Sequence, residues 1–309
     1  MSVAGEFRAW ALRRSGVHRR RLTRAPFPGA AVLVYHGVRD RRLPTQAMQG
    51  RELHVSEARL AEQCRTIREL CTPISGGDFV AAVTGQRPLP PNAVMVTFDD
   101  GYASMLHLAL PVLERFQIPA VVFVCPDPVA RGVRFWFDAV AERSGVDAVA
   151  AMKTLPYDAW RAECRRQEMP ALEGDPHRPL SVEELRRLAA SPLIEIGAHT
   201  MTHPILAHAP LDRQREEIEQ SQRVLAGWVG TAPRLFAYPN GRPGLDYSRD
   251  TVAIVRELCA EGFAGGDTFA QPGQYPGEQR RLTMLDSVSG AELGHRLAVS
   301  WPRAGAPPP

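Results

Sequence analysis

The sequence predicts one α/β domain in which parallel strands and crossover helices form a barrel, complete or incomplete. Apolar, β-branched stretches of strand length alternate along the chain with segments that have the apolar period of a helix. The strands are expected at 31–36, 94–98, 119–125, 193–197, 234–238, 262–266 and 282–285, and the helices at 56–71, 78–84, 105–116, 181–190, 211–228, 251–260 and 291–299. A strand, helix, strand order at short spacing implies a parallel sheet, and an open doubly wound sheet is the second candidate.

A long insertion at residues 126–192 interrupts this alternation. It combines a helical segment with a polar, proline-rich stretch at 168–179, and we expect it on the side of the cleft. Its aromatic residues Trp136, Phe137 and Trp160 are candidates for a substrate platform, with core packing as the alternative for each of them.

Composition limits the function classes. The 309 residues carry a net charge of +3, but residues 1–24 hold seven arginines and one acid, so the rest of the chain is slightly acidic and unsuited to nucleic acid. The chain's one lysine, Lys153, follows no glycine-rich loop, which excludes a P-loop nucleotide site. Five cysteines are scattered without CxxC spacing, and we expect free thiols rather than disulfides or a zinc knuckle.

The basic N-terminal arm has neither the apolar core of a signal peptide nor a membrane span. We expect it either to be solvated or to form a basic amphipathic helix on an anionic membrane, with Phe7, Trp10 and Leu12 as its apolar part. These features predict a location in the cytoplasm or at the inner face of the membrane. The expected division of the chain is an arm at 1–24, a main domain at 25–300 and a disordered Pro-rich tail at 301–309.

The strand at 94–98 ends in two adjacent carboxylates, Asp99 and Asp100, followed by Gly101. In parallel α/β folds, sites are built at the carboxyl ends of the strands. Two carboxylates so close raise one another's pKa unless a cation lies beside them, so the pair indicates a metal ligand next to a general base. An ordinary Asp-Asp-Gly turn is the alternative.

Two histidines follow another strand. His199 and His203 are four residues apart, which predicts that both lie on one face of a helical turn and reach one metal ion. One Asp and two His ligands leave coordination positions open, as in a catalytic metal site. His36 ends the strand at 31–36 and is expected either at the same rim or in a structural hydrogen bond.

Three motifs resemble those of one known family. TFDDGY (97–102), GAHTMTHP (197–204) and FAYPNG (236–241) are similar, in order and spacing, to the strongest motifs of the polysaccharide deacetylases, carbohydrate esterase family 4. With AVLVYHGV (31–38) and the PAVVFV strand, the resemblance covers about residues 30–290. It implies a distorted (β/α) barrel and the metal-dependent removal of acetyl groups from N-acetylated sugars.

Carried onto this chain, the resemblance implies that Asp99 is the general base and that Asp100, His199 and His203 hold the metal, which is expected to be Zn²⁺. The backbone N–H of Asn240 is expected to stabilise the oxyanion.

The chain also departs from the family pattern. Family members have an arginine that holds the catalytic aspartate and an aromatic residue after the proline, and those places here correspond to Ala237 and Asn240. The late part of the chain has no clear Leu-x-x-His motif to supply a general acid, so we expect His36, rather than His295, to face the metal cleft. The expected substrate contacts are Tyr102, Trp136, Tyr238 and Pro239.

The predicted activity is hydrolysis of N-acetyl groups on a polysaccharide, exopolysaccharide or lipid-linked glycan of the cell envelope. Two alternatives stay open. One is a glycan-binding pseudoenzyme, which the missing arginine would favour, and the other is an amidase that acts on a different non-peptide C–N bond.

Overall fold

The computed structural model describes residues 16–27, 29–39, 51–271 and 273–299. Its strands are β1 (Ala30–Tyr35), β2 (Val38–Arg39), β3 (Val55–Ser56), β4 (Thr72–Pro73), β5 (Ala93–Phe98), β6 (Ala120–Val124), β7 (Ile194–Ala198), β8 (Leu235–Ala237), β9 (Glu261–Phe263) and β10 (Leu282–Thr283).

The helices surround these strands. They are α1 (Val17–Arg24), α2 (Glu57–Leu70), α3 (Gly76–Val83), α4 (Leu110–Phe116), α5 (Pro126–Arg131), α6 (Trp136–Ser144), α7 (Val146–Met152), α8 (Tyr157–Gln167), α9 (Val182–Ala189), α10 (Leu211–Val229), α11 (Arg249–Leu258) and α12 (Gly290–Val299). A π-helical turn, Met105–Ala109, leads into α4, and 3-10 turns lie at Arg51–Leu53 and Leu206–His208.

The main sheet is parallel throughout, in the order β10, β1, β5, β6, β7, β8, β9, with β4 attached to β5. The register places Tyr35 opposite Phe98, so the carboxyl ends of neighbouring strands lie together. A single residue pair, Phe263 with Gln279, bridges β9 to the segment before β10. The sheet therefore curls into an incomplete barrel, which confirms the predicted fold class.

Burial explains why these segments form strands. Every residue of β1, β5 and β6 is buried, as expected for parallel strands that are covered on both faces. Helix starts follow the sequence signals as well, since Ser181 and Glu184 form the predicted capping box at α9. The five cysteines are free, as expected.

The second half of the basic arm is part of the fold. Residues 17–24 form α1, whose buried Leu22 and His18 pack on the side of α2 and α12. The predicted apolar residues of the arm and the tail at 301–309 lie outside the described residues. Within the described ranges, no helix combines the length and the apolar character that a membrane span requires.

The insertion between β6 and β7 has its own small core above the carboxyl ends of the strands. Trp136, Phe137 and Trp160 pack there with Tyr102, which follows β5. The insertion therefore covers the rim of the barrel at which the conspicuous polar residues lie.

Candidate metal centre and catalytic cleft

Asp100, His199 and His203 converge at the carboxyl rim of the barrel. The Nε2 atoms of His199 and His203 lie 3.5 and 3.4 Å from Asp100 Oδ1. All three residues are buried, and their ligand atoms lie within 4.8 Å of one another. This geometry allows one ion to contact all three side chains.

The backbone at this centre is unusual. Asp100, Thr200 and His203 have φ angles of 72°, 63° and 59°, in the left-handed region that residues other than glycine seldom adopt. Such positions cost about 1–3 kcal/mol each and persist only where the surroundings hold them. The prediction of a helical turn between His199 and His203 is therefore wrong: a strained loop, rather than a helix face, brings the two imidazoles together.

The buried Glu217 of α10 holds this loop. Its carboxylate accepts hydrogen bonds from the N–H and the hydroxyl of Thr202, at 3.0 and 2.7 Å, and from the Tyr157 hydroxyl at 2.8 Å. The backbone oxygen of Glu217 accepts a further bond from the Met201 N–H, at 3.1 Å. On the other side of the loop, the Trp136 indole donates to the His203 carbonyl at 2.9 Å.

The donor set fits a metal ion. The Nδ1 of His199 donates to the Ala237 carbonyl at 2.7 Å, which leaves Nε2 as the lone-pair atom facing Asp100. Burial lowers the pKa of His199 and of His203, so both imidazoles are neutral. Burial and the neighbouring Asp99 raise the pKa of Asp100, and no described group donates to its Oδ1. A carboxylate oxygen without a donor, between two neutral imidazoles, suits Zn²⁺.

Asp99 is held by an arginine that the sequence did not indicate. The guanidinium of Arg281 donates to both carboxylate oxygens of Asp99 at 2.7 Å. Burial opposes ionisation of Asp99, but the charge of Arg281 and its hydrogen bonds hold the pKa at about 2. Arg281 comes from the segment before β10, while the expected place on β8 is Ala237. The contact joins residues 182 positions apart, and no local motif marks it.

His36 lies beside this pair. It follows β1, lines the same cavity as Asp99, and its buried Nδ1 has no hydrogen-bond partner among the described residues. Burial lowers its pKa to about 4, partly offset by the charge of Asp99. His295, in contrast, contacts His18 at 3.3 Å between α12 and α1, away from the cavity.

The cleft above the centre has a volume of about 930 Å³, within the range typical of ligand pockets. Of the expected substrate contacts, Tyr102 lies in its wall, although its hydroxyl donates to Asp138 at 2.8 Å.

Three other expected contacts lie outside that wall. The ring of Trp136 is buried behind the loop that carries His199 and His203, where it packs against Phe137 and Trp160. Tyr238 stacks on Tyr247, and Pro239 is buried beside it. Phe137 is the insertion aromatic that lines the cavity.

Asn240 lies at the rim with φ 57°, and its N–H has no backbone partner among the described residues. Its side-chain oxygen accepts a hydrogen bond of 2.6 Å from Nζ of Lys153, which comes from the insertion. Sequence reasoning used Lys153 only to exclude a nucleotide site and missed this contact.

The sequence model of the polysaccharide deacetylases matches residues 86–262, more than half of the chain. The chain belongs to this family. It is 37% identical over 182 residues to the poly-beta-1,6-N-acetyl-D-glucosamine N-deacetylase of Escherichia coli (strain K12). That match covers 58% of this chain but 22% of the E. coli protein, so this polysaccharide deacetylase homologue corresponds to a minor part of its curated relative.

Solved structures share the fold. The Streptococcus pyogenes deacetylase PplD has a TM-score of 0.62 at 17% identity, covering 88% of this chain and 99% of that one. IcaB from Ammonifex degensii has a TM-score of 0.61 at 22% identity, covering 88% and 98%. A de-N-acetylase from Aggregatibacter actinomycetemcomitans has a TM-score of 0.63 at 18% identity, covering 86% and 98%. These likenesses support the incomplete barrel.

Proposed function

We propose that this protein is a metal-dependent hydrolase that removes N-acetyl groups from an N-acetylated glycan. The observation that carries the proposal is the ionised Asp99, clamped by Arg281, beside the Asp100, His199 and His203 centre. An ionised base beside a metal-ligand set with open positions is the arrangement that hydrolysis of an amide requires.

In this reaction water adds to the acetamide carbon, the C–N bond breaks, and acetate and an amine are formed. Asp100, His199 and His203 would hold a Zn²⁺ ion, which would supply Lewis-acid polarisation of the carbonyl and would lower the pKa of the attacking water. A base as weak as Asp99 needs such a water. Asp99 takes the proton from the water.

The chain offers groups for the later steps as well. The N–H of Asn240, which has no backbone partner among the described residues, donates to the oxygen on which negative charge develops. The leaving nitrogen needs a proton, which Asp99 returns either directly or through His36. Because the pKa of His36 is low, its ring is neutral at rest and carries no proton to donate as an acid. The ring can instead accept the proton from Asp99 and pass it to the leaving nitrogen.

We place the substrate among N-acetylglucosamine polymers and lipid-linked N-acetylated sugars. The name of the E. coli relative supports the first, and the cleft volume leaves room for a sugar chain. For the second, the exposed arginines of α1 support contact with an anionic membrane surface. The pseudoenzyme alternative relied on a missing arginine, and Arg281 removes that argument.

The test is acetate release from N-acetylglucosamine oligomers by the Zn²⁺-loaded and the metal-stripped protein. Asp99→Asn should lower kcat by about 10²- to 10⁴-fold, because the amide keeps the volume but cannot accept the proton. Asp158→Asn, an exposed carboxylate on α8, is the matched control and should leave kcat unchanged. An Asp99→Asn variant with wild-type kcat would show that Asp99 is not the base.

A further inference from the structure

Three cations line the cleft: Arg281, Arg242 and Lys153. Arg281 pairs with Asp99, and Arg242 donates to both oxygens of Asp246, at 2.8 and 2.9 Å. Lys153 forms no ion pair with any carboxylate in the described part of the chain, and its Nζ contacts the neutral amide oxygen of Asn240. In the described part of the chain no carboxylate contacts this ammonium, although the charges of Asp246 and Asp100 act on it from a greater distance.

Lys153 is also unusual for this chain, because all the remaining Lys or Arg residues are arginines. Arginine suits fixed, bidentate carboxylate pairs, whereas the lysine ammonium is a compact charge on a flexible stem. Half-buried at the end of α7, Lys153 carries a desolvation cost that a fixed amide contact offsets only in part. An ammonium in this position is stabilised most when negative charge develops close to it.

The hydrogen-bond partner of the Lys153 ammonium among the described residues lies in the reaction cleft. Asn240 has left-handed backbone geometry, and its N–H is the proposed oxyanion donor. A bond of 2.6 Å from Lys153 to the side chain of Asn240 restrains the loop after β8 from the insertion side. The same bond places the ammonium next to the residue whose N–H faces the developing charge.

We propose that Lys153 is a positioning residue of the oxyanion site, which orients Asn240 through their hydrogen bond and places a positive charge beside the acetamide oxygen. The inference rests on the proposed deacetylation. Its physical basis is that charge fixed before the reaction stabilises a transition state more in a water-poor cleft than in bulk water.

If Lys153 only linked the insertion to the loop mechanically, its variants would behave differently from those of a residue with this electrostatic role. Lys153→Met keeps the apolar stem and removes the charge, and Lys153→Arg keeps the charge. We expect Lys153→Met to lower kcat about 10- to 100-fold, somewhat less than the loss of a direct oxyanion donor, with KM changed less than about threefold. Its melting temperature should equal or exceed that of the wild type, because an unpaired charge is removed.

Lys153→Arg should retain kcat within about threefold, because the charge at the oxyanion site persists. Arg165→Met, an exposed cation of the insertion outside the cleft, is the control and should change neither kcat nor stability. If Lys153→Met matches an active wild type in kcat, or loses stability together with activity, the inference fails while the proposed function stands. If the wild type releases no acetate at all, the proposed function fails first.

A second measurement does not depend on turnover. Because Lys153 is the chain's one lysine, reductive methylation with ¹³C-formaldehyde labels this side chain and the α-amino group, and Lys153→Arg assigns the two signals. The Lys153 signal should shift when acetate, the anionic product, is added to the Zn²⁺-loaded protein. A Lys153 signal that acetate leaves in place would put the ammonium outside the oxyanion site and overturn the inference.

Discussion

Replacing Arg281 should show how much the stability of the barrel depends on one buried ion pair. The side chains of Arg281 and Asp99 are only 3% and 5% exposed, and two bonds of 2.7 Å join them. Arg281→Met preserves much of the side-chain volume but leaves the carboxylate of Asp99 buried without its cation. The change tests the electrostatic frame of the site without touching the metal-ligand set.

The magnitude follows from the pKa of Asp99. Holding this pKa at about 2 instead of 3.8 corresponds to about 2–3 kcal/mol at neutral pH. That figure is a lower bound, because burial would raise the pKa of Asp99 above 3.8 once the arginine is gone. Loss of one partner of a buried pair typically costs about 3–5 kcal/mol, and we expect the free energy of unfolding to fall by that amount.

The dependence on pH has a definite sign. Asp99 has a folded-state pKa below its unfolded value, so the stability it contributes is present above about pH 4 and is lost as pH falls towards 2. The difference between wild type and Arg281→Met should therefore be largest at neutral pH and shrink below about pH 4.

Urea unfolding of Arg281→Met, Asp99→Asn and the double variant measures this directly. The double variant should be more stable than Arg281→Met, because no unpaired charge remains. Arg215→Met is the control, since its pair with Glu257 is solvent-exposed and should contribute less than about 1 kcal/mol. An Arg281→Met variant within about 1 kcal/mol of wild type at pH 7 would refute the reasoning.

Three further predictions concern the centre itself. His203→Ala should abolish stoichiometric Zn²⁺ binding in calorimetry, whereas His208→Ala, an exposed histidine of the same cavity wall, should not; equal binding by both would contradict the ligand assignment. Glu217→Gln should weaken Zn²⁺ affinity about tenfold by loosening the loop that carries His203, and an unchanged dissociation constant would count against that role. His36→Ala should lower kcat/KM about 10²-fold while His295→Ala leaves it unchanged, and the reverse pattern would move the proton-transfer role to His295.

Much of the site was predictable because strand ends of a parallel barrel gather at one rim. That rule predicts that Asp99, Asp100, His36 and the histidine pair lie together, and the structure brings them to one cleft. The motif resemblance added the roles that the residues would play. Both arguments use short-range signals, in which a strand is followed at once by polar residues.

Long-range contacts could not be predicted, because these signals are short-range. Arg281 meets Asp99 across 182 positions, and one of two adjacent arginines before a two-residue strand looks like any surface cation. The spacing of His199 and His203 suggested a helix, because periodicity does not reveal that Glu217 stabilises a left-handed loop. For Trp136 a substrate contact and core packing both stayed open, because an aromatic residue near a cleft gives no sign of which face it buries; the ring packs against Trp160.

The most direct test of the account is stoichiometric reconstitution of activity. Metal-stripped protein is titrated with Zn²⁺, and the initial rate of acetate release from N-acetylglucosamine oligomers is measured at each addition. We expect the rate to rise from near zero and to break at one equivalent, because Asp100, His199 and His203 form one centre, while Asp100→Ala stays inactive throughout. Full activity of the stripped protein, or an active Asp100→Ala variant, would contradict the account.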